Sequence, residues 1–163
     1  MKKELKQKFK KKEIIVICHN IRSAYNVGSI FRTADGAGLD KIILGGYSAS
    51  PPHPQITKTA LGAEKNVPSE KVAAVWREID KLKKEGYYII GLEKIKGFKS
   101  ENIFRFKPRL PLVLILGNEV RGLSKDILKR CDEIIYIPMV GQKESLNVAV
   151  AFGIAIYQIK NAK

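Results

Sequence analysis

Short apolar runs alternate with amphipathic stretches along the whole chain. Ile14-Ile15-Val16-Ile17-Cys18 is unbroken and apolar, the pattern of a buried strand. Over residues 26–37 the apolar positions fall at Val27, Ile30, Phe31 and Ala34, one face of a helix, with Gly36 and Gly38 as its stop. Asn26 lies at the start of this expected helix. Ile42-Ile43-Leu44 is a second strand, ended by Gly45-Gly46. Residues 47–68 carry Pro51, Pro52, Pro54 and Gly62 and read as loop, with a short helix near 55–60. Ser69 is expected to cap a helix running to Glu85, with Val72, Val75, Trp76, Ile79 and Leu82 as its inner stripe and Gly86 as its end. A third strand is expected over 87–92, an irregular basic segment over 93–109 and a fourth strand over 112–116. Ser124 then caps a short helix to Arg130, a fifth strand covers 134–137, and a last helix covers 147–160.

Strands alternating with helices predict an α/β fold whose sheet is mainly parallel and flanked by helices. Such sheets bind ligands beyond the carboxyl ends of their strands. Three polar or glycine-bearing turns follow strands here, at 19–26, 117–122 and 138–147. The last helix is apolar almost all round from Val148 to Ile156. It must be covered on every side, which predicts a homodimer interface in addition to a core.

Length and charge narrow the picture. At 163 residues the chain suits one domain, expected over 13–163, after a lysine-rich tail over 1–12. The net charge of +14, from 30 Lys+Arg against 16 Asp+Glu, favours a polyanionic partner, nucleic acid first; the competing reading is a lysine-rich, solubilising surface. The tail either contacts phosphates or is a solvated terminus. Cys18 and Cys131 form no Cys-x-x-Cys pattern and read as free thiols in apolar, strand-like surroundings. No signal-peptide apolar region follows the basic start, and the longest apolar run is shorter than the about 20 residues a bilayer requires. A cytoplasmic protein without a membrane partner is expected.

The chemistry narrows it further. No Gly-x-Gly-x-x-Gly follows the first strand, and neither a phosphate loop nor a Gly-x-Ser-x-Gly elbow is present. His19 and His53 lie in different loops without a carboxylate cluster at ligand spacing, so no metal is expected. Three constellations remain. Residues 20–34 bring Asn26 to a helix start and turn Arg32 away from the apolar stripe, where its fork can clamp a phosphate or simply face solvent. Residues 116–124 combine Gly117 and Gly122, which allow close backbone approach, with the charges of Glu119 and Arg121. Residues 137–150 join a strand to a helix through a turn carrying Ser145 and Asn147, placed where a helix's first N–H groups need partners.

In order and character these three constellations resemble the three signature motifs of the SpoU-type (TrmH-like) SPOUT RNA methyltransferases. The resemblance covers residues 14–158, and the stretch 58–65 also resembles a family segment. It implies a C-terminal deep trefoil knot, an exception to unknotted topology. It implies S-adenosylmethionine as cofactor, RNA as partner and methylation of a ribose 2′-hydroxyl in tRNA or rRNA, with tRNA favoured. By position it implies Leu92, Gly117, Ile137, Met139, Ser145 and Leu146 as cofactor-binding residues, and Arg32, Asn26, Glu119, Ser145 and Asn147 as catalytic ones. Some family proposals make the arginine a base. A guanidinium titrating above ~12 favours a phosphate clamp and electrostatic stabiliser instead. The extra N-terminal RNA-binding domain of many rRNA-modifying relatives is not recognisable here. RNA binding is therefore expected to fall to the dimer surface, the 93–109 segment and the tail. The alternative is a catalytically inactive RNA-binding protein on the same fold.

Overall fold

The structure, a computed structural model, describes residues 12–163. The tail expected over 1–12 lies outside the described residues except for Lys12. Seven strands form one sheet in which every pairing is parallel: β1 (Ile14–His19), β2 (Lys41–Gly45), β3 (Ser69–Val72), β4 (Tyr88–Leu92), β5 (Ser100–Asn102), β6 (Leu112–Leu116) and β7 (Glu133–Tyr136). Their spatial order is β3-β2-β1-β6-β4-β7-β5. β1 and β6 sit at the centre, paired from Ile14 to Leu112 through Cys18 to Leu116. Both faces of these strands are covered, which is why they read as unbroken apolar runs rather than alternating ones.

The pleat divides those runs between two cores. Ile14, Val16 and Cys18 face the first, with the helices α1 (Ala24–Ala37), α2 (Pro54–Ala60), α3 (Ala63–Asn66) and α6 (Val148–Asn161). Ile15 and Ile17 face the second, with α4 (Val75–Lys84) and α5 (Lys125–Arg130). α1 and α2 approach closely at Gly28, where a Cβ would lie 2.4 Å from the Ile56 carbonyl oxygen. No helix among the described residues is long and apolar enough to cross a membrane.

Several elements differ from the sequence pattern. The helix expected from Ser69 begins only at Val75, because residues 69–72 form β3 along the outer edge of β2, in register from Ile42–Ser69 to Gly45–Val72. The open backbone groups of that edge outweigh four residues of helical periodicity. Trp76 consequently lies outside the inner stripe and is 41% exposed; Val75, Ile79 and Leu82 are buried. Ala74 precedes α4 without a side-chain cap. The basic segment over 93–109 contains β5, which extends the sheet beside β7. The loop over 47–68 holds two short helices rather than one. Cys18 is buried in β1, whereas Cys131 is only partly buried and caps the C-terminus of α5 instead of lying in a strand. Ser124 and Asn147 cap α5 and α6 as expected.

Candidate active site

The carboxyl ends of β1, β4, β6 and β7 lie side by side, so the loops that follow them meet at one edge of the sheet. Between the loops after β4, β6 and β7 lies a cavity of about 320 Å³. Leu92, Gly117, Ile137, Met139, Ser145 and Leu146 all line it. Its floor depends on Gly117, where a Cβ would lie 2.6 Å from the Gly122 carbonyl carbon and 2.7 Å from the Leu123 nitrogen. Gly122 has φ +65°, a conformation that favours glycine, and its backbone turns back to Asn118 through reciprocal N–H to carbonyl bonds of 2.9 and 3.2 Å.

Glu119 joins this cavity to the loop after β1. Its carboxylate accepts from the Arg22 N–H at 2.8 Å, the Ser23 N–H at 3.0 Å and the Asn26 side-chain amide at 3.0 Å. Asn26 does not start α1: Ser23 is the cap, its Oγ accepting the Asn26 N–H at 3.2 Å, and Asn26 is the third helical residue. A serine three residues upstream satisfies that N–H, leaving the Asn26 side chain free to face Glu119. The Asn147 amide in turn donates to Asn26 Oδ1 at 3.1 Å, while its own Oδ1 accepts from the Ala149 and Val150 N–H groups. The three constellations thus form one hydrogen-bonded chain. Burial pushes the Glu119 carboxyl up, but the Arg22 N–H, the Asn26 amide and the Ser23 N–H outweigh it and hold it below its usual value of 4.5.

Ser145 lines the cavity but is exposed, two residues before the Asn147 cap, and has no capping role. Arg32, six residues along α1 from Asn26, is exposed and does not line the cavity. Among the described residues its side chain makes no hydrogen bond or ion pair. Burial pulls the His19 imidazole below 6.5, and its buried Nδ1 has no hydrogen-bond partner. Among the described residues, no group of three or more His, Cys, Asp or Glu is arranged to hold a metal ion.

Other residues build the site without a distinct signal in the chain's pattern. Glu93 Oε2 accepts the Leu123 N–H at 2.9 Å, tying the end of β4 to the glycine turn. Asn118 Oδ1 accepts the N–H groups of Val120 and Arg121, while its amide donates to the Asn20 carbonyl at 3.0 Å and to the Tyr47 hydroxyl at 2.8 Å. An asparagine before a tight glycine turn is a local cue for the first pair of bonds. Nothing local announces Tyr47 or Glu93.

Residues 13–157 match the model of the SpoU rRNA Methylase family. The chain belongs to this family. It is 33% identical over 148 residues to a protein of Staphylococcus haemolyticus (strain JCSC1435) assigned to the TrmH family of tRNA/rRNA methyltransferases, covering 89% of this chain and 57% of that protein. The chain thus spans little more than half the length of that relative. Among solved structures, the family fold recurs in the AdoMet-bound rRNA methyltransferase of Sinorhizobium meliloti, with TM-score 0.83, 28% identity, and coverage of 91% of this chain and 56% of that one. It recurs again in the TrmH/SpoU tRNA modifying enzyme of A. aeolicus, with TM-score 0.81, 30% identity, and coverage of 97% and 80%.

Proposed function

We propose that this chain is an S-adenosylmethionine-dependent RNA methyltransferase that modifies a ribose 2′-hydroxyl. The observation carrying this reading is the hydrogen-bonded chain Glu119–Asn26–Asn147 at the mouth of a ligand-sized cavity, in a chain of the SpoU family. The cavity suits this cofactor. Leu92, Ile137, Met139 and Leu146 offer apolar walls for an adenine, the backbone of Gly117 offers close approach, and Glu93, Glu119 and Glu144 give surroundings for a cation. Those walls and Ser145 would hold it. When bound, S-adenosylmethionine supplies an activated methyl group without needing a metal.

The chain's own residues hold and orient the RNA. Glu119 is a poor base, because its carboxylate is committed to three donors and held ionised. It positions Asn26, and with Asn147 the pair is aimed at the ribose. Arg32 serves as a phosphate clamp, leaving a substrate phosphate to accept the hydroxyl proton. The outer face of α6, with Val150 and Tyr157 about half exposed, pairs two copies into a homodimer. Arg32 is carried by α1, which packs against α6. The passage of β6, β7 and α6 forms the deep trefoil knot. The match to the A. aeolicus tRNA modifying enzyme spans 80% of that chain, against 56% of the Sinorhizobium rRNA enzyme, and supports tRNA as the first substrate to test.

The test is transfer of radiolabelled methyl from the cofactor to tRNA and to rRNA, with the product resisting alkaline cleavage at the modified nucleotide. Arg32→Ala should nearly abolish transfer while calorimetry shows cofactor uptake retained. Uptake without transfer by the wild-type chain would point instead to a binding protein on this fold.

A further inference from the structure

The segment between β4 and β6 carries six cations, Lys94, Lys96, Lys99, Arg105, Lys107 and Arg109, against two carboxylates, Glu93, whose oxygens accept the Lys94 and Leu123 N–H groups, and Glu101. All six are exposed, and among the described residues none is ion-paired. Arg109 instead lies over the Tyr88 ring, 5.1 Å from its centroid. Glu101 accepts the N–H of Asn102 rather than pairing with a lysine. Four cations elsewhere are paired: Lys41 with Glu70, Lys81 with Glu78, Lys83 with Asp132, and Arg130 with Asp80 and Asp126. The positive field of this segment is therefore not cancelled locally.

One exposed aromatic ring stands within it. Phe104 is 55% exposed, between the fully buried Ile103 and the largely buried Phe106. The turn presenting it is fixed, because the N–H of Phe104 donates to Asn102 Oδ1 at 3.0 Å and those of Arg105 and Phe106 donate to the Asn102 carbonyl. Burying a phenyl ring is worth far more than leaving it in water, so a ring held outward on a rigid turn is available to a partner. Its turn is also tied to a strand that walls the cavity. Asn102 pairs with Tyr136, a cavity-lining residue, and the Ile103 N–H donates to the Tyr136 carbonyl at 2.9 Å.

We infer that Phe104 and the surrounding cations form a docking platform for single-stranded RNA, on which an unpaired base beside the target nucleotide stacks. This rests on the methyl-transfer function proposed for the chain. A duplex buries its base faces, whereas a splayed loop offers them to an aromatic ring while cations track its backbone.

The test uses the full chain and a short, mixed-sequence, fluorescein-labelled RNA, single-stranded and as a duplex. The single strand should bind more tightly. Phe104→Ala should weaken single-strand binding and raise KM for RNA about 5- to 150-fold, from the stacking free energy of one base. Phe104→Trp should restore both, and cofactor affinity should not change. Replacing Lys96, Lys99 and Lys107 by Gln should flatten the salt dependence of binding by about 0.7 in log–log slope for each phosphate no longer neutralised. Unchanged binding and KM in Phe104→Ala, an unchanged salt slope, or preference for the duplex would each overturn the platform, even if methyl transfer is intact. A wild-type chain that takes up cofactor but neither binds nor methylates RNA would overturn the methyl-transfer reading and the platform with it.

Discussion

The side-chain amide of Asn147 donates to Asn26 Oδ1 at 3.1 Å across 121 residues of chain. The orientation of both amides follows from Glu119. A carboxylate only accepts, so Asn26 must turn its NH₂ toward Glu119 and its oxygen toward Asn147. Asn147 must then present its NH₂ to Asn26 and its oxygen to the first N–H groups of α6, which is how it also caps that helix. One carboxylate thus sets the direction of every bond in the chain.

Substitution of Asn147 separates its two roles. Asn147→Asp retains the cap, since a carboxylate accepts at a helix N-terminus and is favoured there. It cannot donate to Asn26, and it sets a carboxylate on each side of that amide. Asn147→Ala loses both roles. The alanine variant is expected to be destabilised by about 0.5–2 kcal/mol, the aspartate variant hardly at all. Methyl transfer should fall in both. Urea denaturation beside a transfer assay checks this; full activity in Asn147→Asp would show that the bond to Asn26 is dispensable.

Glu119 links stability to acid pH. Its folded carboxyl titrates below 4.5. Its contribution is therefore complete above the unfolded value and is lost as pH falls through the folded one. At neutral pH, Glu119→Gln should cost about 1.5 kcal/mol, the low end for bonds to a charged group because the site is partly open to solvent. The difference from wild type should shrink as pH drops below 4.5 toward the folded value. Denaturant midpoints measured down that range decide it, and a constant difference would remove the carboxylate's charge from the account.

Gly117→Ala places a methyl against backbone on the cavity floor, with no flexible side chain to yield. A loss of about 1–3 kcal/mol is expected, with a clear fall in cofactor affinity by calorimetry. Gly141 is the control: a Cβ there meets nothing within 4 Å, so Gly141→Ala should shift stability by less than about 0.5 kcal/mol. Equal melting temperatures for the two variants would count against the close approach of Gly117 to the glycine turn.

Features that depend on near neighbours were legible in the residues alone. The unbroken runs at 14–18 and 112–116 announced strands covered on both faces. The spacing of Val27, Ile30, Phe31 and Ala34 announced the buried side of α1, and Ser124 and Asn147 announced two caps. The six residues implied as cofactor contacts came from the family resemblance rather than from local pattern, and they line one cavity. Features that depend on partners far along the chain emerged only in the folded molecule. Residues 69–72 and 100–102 became strands because β2 and β7 left an edge to pair with, and no local period carries that information. Asn26 reads as a cap from its position. Only the folded sheet brings Glu119 within 3.0 Å of its side chain, from 93 residues away. A carboxylate's choice among distant donors is set by where the strand ends converge, and local sequence cannot encode that meeting point.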